Sequence, residues 1–373
     1  MSGVQRRHHK KVRNHYIARL LLNRFASRVE QKKKKKICWV WQVTKKGNPK
    51  EISTKDTALS KYFYGKSETG VEDAFGNIET RFSQILSAID RNECPDNYHQ
   101  ELNFILWLFY TRTRSLRDNL GSSMERVLGL IPDIAKTVPF KDQVVKQGKQ
   151  HFSDPVQIEL LSQRLPLEKR ALFINIMGNP SIQELMAQQI EQFISMQGSS
   201  LSEAMVAQVK KEKIIPKITK GSHNKALLKM LQEETIPSKF TPLRWEYIKS
   251  KEPTFILGDS CMFAVTQDGK TCSILRAAND WQAIYFPISS TQVLAALRDE
   301  KLTPLAFEEI NRASAEVSYD YIYASRKDML VQFSELTGTK ASFLTAEESE
   351  ILKENKVQEF NNQNNAQKIK EYT

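Results

Sequence analysis

Residues 253–275 read PTFILGDSCMFAVTQDGKTCSIL, and this stretch decides the fold class. Three apolar runs, Thr254–Leu257, Met262–Val265 and Thr271–Leu275, are too short for helices and read as consecutive strands. Gln267-Asp268-Gly269-Lys270 has hairpin chemistry, because glycine supplies the positive φ that a tight turn demands. Ala283–Phe286 continues the series, and Val293–Leu297 fits either a strand or a helix. Pro304–Ser318 then reads as a helix, Tyr321–Tyr323 as a short strand, and another helix follows Arg326.

Upstream, Cys38–Val43 alternates and puts Trp39 and Trp41 on one side. Lys45-Lys46-Gly47-Asn48 turns the chain toward a second strand near Glu51–Thr54, so a hairpin is predicted. Val71–Arg91 carries Val71, Phe75, Ile78, Phe82, Ile85 and Ile89 at helical spacing. A helix over Tyr98–Arg117 is apolar nearly all round in Phe104–Tyr110, which suits the middle of a core. Tyr16–Arg28 reads as a helix with Ile17, Leu20, Leu21 and Phe25 on one face. Residues 120–250 read as short polar helices broken at Pro132, Pro155, Pro166, Pro180, Pro216 and Pro237, with Gln197–Ser202 or Lys217–Ser222 as joints. The fold class is α+β: a helical middle region packed on a mostly antiparallel sheet from the N-terminal hairpin and the C-terminal third. Residues 1–14 read as a basic flexible tail, 15–343 as one α+β domain with 120–250 a candidate helical lobe, and 344–373 as a polar helix or disordered tail.

The 373 residues are 40% hydrophobic and 26% charged, the balance of a soluble globule. No apolar run approaches the ~20 residues that span a bilayer. Ile17–Leu22 is short and interrupted by Arg19, so the start does not read as a secretory signal. Cys38, Cys94, Cys261 and Cys272 form no CxxC pair and read as reduced cytosolic thiols. There is no phosphate-cradling Gly-x-x-x-x-Gly-Lys loop, no Gly-x-Gly-x-x-Gly, no Gly-x-Ser-x-Gly and no His-Glu-x-x-His. NTPase, dinucleotide oxidoreductase, serine hydrolase and zincin metalloprotease are disfavoured accordingly.

Charge is concentrated at one end. Residues 1–36 hold Arg6, Arg7, Lys10, Lys11, Arg13, Arg19, Arg24, Arg28 and Lys32, Lys33, Lys34, Lys35 and Lys36 against one acid, Glu30. That segment is +12, and the other 337 residues balance 42 basic against 42 acidic groups. Arg6, Arg7, Lys10, Lys11, Arg13, Arg19 and the lysine run are candidates for neutralising phosphates of a nucleic acid. The plain reading is a solvated tail and a lysine-rich loop guarding an apolar strand from aggregation. The run has no aromatic or aliphatic face to insert, so no membrane partner is expected.

His15-Tyr16-Ile17-Ala18-Arg19-Leu20-Leu21-Leu22-Asn23-Arg24-Phe25-Ala26 resembles the opening of a widespread bacterial family classed as a domain of unknown function. The likeness continues through Trp39-Val40-Trp41, Phe63-Tyr64, Glu72–Glu79, Phe104–Arg117, Phe255–Ser260 and Ile310-Asn311-Arg312. Ala18, Ser260 and Cys261 depart from the residues usual in that family. The resemblance implies a shared fold and no established reaction.

Within these segments several side chains carry candidate chemistry. His15, before the predicted helix, suits a general base, a metal ligand or a packing group. Arg112 and Arg114 leave the most hydrophobic helix, where a guanidinium fork clamps a phosphate or pairs with a carboxylate to fix packing. Asp259, at a strand end, suits a metal ligand, a general base or a turn-forming Asx residue. Glu72 and Glu79 lie seven residues apart, about 10 Å along a helix, too far to hold one ion together. Glu79 and Asn311 are supporting candidates, Asn311 as a ligand-orienting group or a bridge between backbone groups. The enzyme reading is a cytoplasmic nuclease or toxin-like effector acting on DNA or RNA in bacterial defence, its cofactor either a divalent metal such as Mg²⁺ or Mn²⁺ or none. The alternative is a non-catalytic nucleic-acid-binding or scaffolding protein.

Overall fold

The computed structural model describes residues 13–342 except 33–34, 62, 65–69, 136–145, 148–149, 151–152, 164–165, 234–240, 278–279 and 299–303, with short pieces between 347 and 355. The chain divides into two compact units, Met1–Ser123 with Pro216–Phe343, and Met124–Ile215 with Leu344–Thr373. The fold is α+β with antiparallel sheets, as the strand and helix periods indicate.

The elements begin with β1 (Arg13–His15), α1 (Arg19–Asn23), β2 (Arg28–Lys32), β3 (Lys35–Thr44), β4 (Lys50–Ser53), β5 (Leu59–Lys61), α2 (Gly70–Asp90) and α3 (His99–Arg112). Next come α4 (Arg114–Ala135), α5 (Pro155–Ser162), α6 (Leu167–Met177), α7 (Pro180–Lys211) and α8 (Ile214–Glu233). Then follow β6 (Arg244–Lys249), β7 (Leu257–Gly258), β8 (Phe263–Thr266), β9 (Thr271–Cys272), α9 (Ile274–Ala277), β10 (Trp281–Ser289), β11 (Gln292–Leu297), α10 (Phe307–Val317), β12 (Tyr321–Ala324) and α11 (Lys327–Phe333).

One sheet has the order β6-β11-β10-β8-β9, and a small ladder joins β1 to β5. The other sheet is built on β3. At Trp39 that strand is paired on both sides, by Arg28 and Ser53, and at Trp41 by Ala324 and Glu51. Strands β2 and β12 therefore follow one another along one side of β3, with β4 on the other. β7 extends the sheet beyond β12. α3 is buried from Leu102 to Arg112, the central helix that its all-round apolarity predicts. Phe82 of α2 stacks on Phe286 of β10 at 5.9 Å and meets Phe109 of α3 edge-on at 5.1 Å, so two helices and a sheet share one core.

Several expectations need correction. The predicted Tyr16–Arg28 helix is only Arg19–Asn23, and Arg28 opens β2. The ladder takes over at Ser27, whose N–H donates to the Trp39 carbonyl at 2.8 Å. Arg13 and Asn14, read as tail, belong to β1 and pair with Lys61 and Ser60. His15 ends that strand rather than preceding a helix. The Tyr98–Arg117 helix breaks at Thr113, which is extended at ψ 145°. Of Thr254–Leu257 only Leu257 is in a strand. Thr254 and Phe255 instead donate their N–H groups to the Ser290 carbonyl. Pro132 lies inside α4 and Pro216 inside α8, while Pro155 and Pro180 open helices capped by Asp154 and Asn179. Residues 197–202 and 217–222, read as joints, are helical. Pro237 and residues 356–373 lie outside the described residues. Among the described residues no helix is long and apolar enough to cross a membrane.

Candidate functional site

Gly258 places Asp259. A Cβ at position 258 would stand 2.6 Å from the Ser314 carbonyl of α10, so only glycine lets β7 approach that helix. The next residue, Asp259, is buried. Its Oδ1 accepts from Tyr319 N–H at 2.6 Å, and its Oδ2 accepts from Asp320 and Tyr321 N–H at 2.8 and 3.1 Å. Its own N–H donates to the Tyr321 carbonyl at 3.0 Å. The carboxylate therefore organises the turn into β12. Burial pushes its pKa up to about 6, against the opposite pull of those N–H donors. Cys261 N–H closes a turn onto the Gly258 carbonyl at 2.9 Å with Cys261 itself at φ 63°.

The break at Thr113 separates the two arginines. Thr113 Oγ1 donates to the Tyr110 carbonyl at 2.8 Å and accepts from Leu116 N–H at 3.2 Å, so it ends α3 and caps α4. Arg112 turns inward. Its Nε and Nη2 donate to the His15 carbonyl at 3.2 and 2.9 Å, its Nη1 pairs with Glu79, and its guanidinium lies 4.4 Å from the Phe75 ring centre. Arg114 points to the surface, 2.7 Å from Asp118 and 3.3 Å from Asp320. The two carboxylates outweigh the effect of burial and hold its charge more firmly than usual.

His15 contributes chiefly its backbone. Its Nε2 lies 3.2 Å from the Thr54 carbonyl, a pairing in which the ring nitrogen must donate. The following residue, Tyr16, has its phenol pushed up first by burial and then by Asp259, and it bonds to the buried Tyr323 hydroxyl. Asn311 accepts from Ile256 N–H at 3.0 Å and donates to the Thr254 carbonyl at 2.7 Å, so it bridges backbone groups and fixes the entry to β7. The His15, Arg112, Arg114 and Asp259 segments thus converge, linked through main-chain groups and through Tyr16, Glu79 and Asp320. No three His, Cys, Asp or Glu side chains among the described residues form a group able to hold a metal ion.

The basic candidates gather elsewhere. Lys32 and Lys35 face each other at the end of the β2–β3 ribbon, and Lys36 pairs with Gln31. Lys32, Lys35, Lys36 and Arg28 are exposed. Arg28 sits 4.4 Å over the Trp39 ring and 3.0 Å from Glu51, and the Trp39 indole donates to Glu30 at 3.2 Å. Arg13 is on β1 and the exposed Arg19 on α1. Arg6, Arg7, Lys10, Lys11, Lys33 and Lys34 lie outside the described residues. Sequence reasoning missed β2 itself. Its signal was the lysine run standing between Val29 and the Ile37–Val43 alternation, a turn flanked by two strand patterns.

A family model described as a protein of unknown function (DUF4238) matches residues 13–328. The chain belongs to the DUF4238 family. No curated protein and no solved structure matches it. For this DUF4238 member the matched span holds both the Asp259 crossing and the lysine-tipped ribbon.

Proposed function

We propose that this DUF4238 protein acts in the cytoplasm as a nucleic-acid-binding or scaffolding protein that holds the phosphate backbone on the β2–β3 ribbon. The carrying observation is that Lys32 and Lys35 oppose each other at the end of the described antiparallel ribbon, with the exposed Lys36 on the next pair, opposite Gln31. Such a ribbon suits sequence-independent, salt-sensitive contact with phosphates. The binding reading is further supported by His15, Arg112 and Asp259, which are engaged with backbone carbonyl and N–H groups as a crossing of chain segments would require.

Glutamine at all of Lys32 to Lys36 is the test. The variant should keep the parent's melting temperature and bind a labelled 20-nucleotide strand at least tenfold more weakly near 0.1 M salt. Binding equal to the parent's would remove the reading. One observation favours hydrolysis instead: Arg114 is about one-third exposed beside Asp118 and Asp320, a cation next to carboxylates at the surface. The same strand incubated with Mg²⁺ or Mn²⁺ would be cut by the parent and spared by Arg114→Gln if a defence nuclease resided there.

A further inference from the structure

Along β3 the residues alternate between two environments. Cys38, Val40 and Gln42 are buried, whereas Ile37, Trp39 and Trp41 are only partly buried on the opposite face. Val43 on that face is covered by Leu330 and Phe333 of α11, and Trp41 packs at the margin of this cluster. Cross-strand partners share a face, so Arg28 and Lys32 of β2 stand beside Trp39 and Lys35. An exposed cation also flanks the second ring, Lys327 Nζ lying 5.7 Å from the Trp41 ring centre. The face therefore runs from the lysine tip through Ile37 to two tryptophans, each with a cation above it. Two carboxylates share the face, Glu30 opposite Ile37 and Glu51 opposite Trp41. Both pair with Arg28, and Glu30 also accepts from the Trp39 indole and lies 3.7 Å from Lys32.

Resting on the binding reading above, we infer that the partner is single-stranded nucleic acid whose unpaired bases stack on Trp39 and Trp41 while its phosphates follow Arg28, Lys327 and the lysine tip. Two residues along a strand advance about 6.8 Å, twice the ~3.4 Å rise of bases stacked in a duplex strand. An extended strand with its bases unstacked matches that spacing, and a paired duplex does not offer base faces to it. Base–aromatic stacking beside a cationic track is a sequence-tolerant way to hold single strands. A duplex gripped by the ribbon tip in its groove would leave both tryptophans without a role.

The chain has five tryptophans, and Trp107, Trp245 and Trp281 are buried, so quenching of indole emission by a bound strand reports on Trp39 and Trp41. The probes are a 20-nucleotide thymidine strand and a 20-base-pair duplex, each offered to the parent, Trp39→Ala, Trp41→Ala, Trp39→Phe and the five-lysine glutamine variant. The parent should prefer the single strand and lose indole emission on binding it. Each alanine variant should weaken single-strand binding by roughly 5- to 150-fold, leaving the salt slope and duplex binding unchanged, while Trp39→Phe retains most of the affinity. Should an alanine variant fail to fold, the phenylalanine variant and the parent's quenching still decide. Alanine variants that bind like the parent, while the lysine variant does not, would overturn the stacking inference and leave the ribbon reading standing. Equal or stronger binding of duplex without quenching would overturn it too. Retention of neither probe by the parent would remove both.

Discussion

Arg112→Ala should lower the unfolding free energy by about 2–4 kcal/mol, the cost of losing a buried guanidinium's hydrogen bonds and its pairing with the partly exposed Glu79. The guanidinium side chain is only 5% exposed, and it serves two acceptors at once: the His15 carbonyl and Glu79. Its loss leaves the His15 carbonyl only the longer Tyr64 hydroxyl contact at 3.4 Å and detaches α3 from the β1–α1 connection. Arg112→Lys should recover part of this, because one ammonium cannot reproduce the bidentate fork on His15. Urea unfolding checks both variants. A catalytic Arg112 predicts the reverse, with stability near that of the parent.

Asp259→Ala should cost a similar amount, about 3–5 kcal/mol at pH 5, because three N–H groups of the turn 319–321 lose their acceptor. The pH dependence is a sharper signature. The folded carboxyl has its pKa raised to about 6 by burial, and the unfolded one titrates near ~3.9. Below pH ~4 both states carry the proton. Between ~4 and ~6 the unfolded chain releases it first, so the unfolded state binds fewer protons and stability falls as pH rises, by about 3 kcal/mol. Above ~6 the contribution is flat. Asp259→Asn does not titrate, so the parent's stability relative to that variant should decline across this window. A gap that stays constant or widens with pH would refute a buried, raised Asp259.

Much of the fold was legible because its signals are local. The Cys38–Val43 alternation, the Lys45–Asn48 turn and the Gly269 turn each act over a few residues, and each forms where expected. β6 was not legible, since Arg244, Glu246 and Lys249 disguise a strand whose order comes from pairing with β11. The helix break at Thr113 was equally hidden. Arg-Thr-Arg-Ser continues a helical pattern, and only the Thr113 hydroxyl, bonded on both sides, reveals the cap.

The site was legible in its residues and not in their roles. Arg112 and Asp259 stood out as charged groups in apolar surroundings, but beside Glu79 their partners are main-chain groups 97 and about 60 residues away. A backbone carbonyl or N–H leaves no mark in the sequence, so His15 attracted attention for its imidazole when its carbonyl is what Arg112 holds. The lysine run was visible as charge, and the placement of Lys32, Lys35 and Lys36 on a ribbon followed only from the pairing of β2 with β3.

The most direct test of the ribbon as a nucleic-acid support is fluorescence anisotropy of a labelled 20-nucleotide strand, and of its duplex, from 50 to 200 mM salt. With about five phosphates neutralised, the logarithm of the binding constant should fall against the logarithm of salt with a slope of about −3 to −4 for the single strand. Absence of binding to either probe at 50 mM, or binding indifferent to salt, would contradict the account.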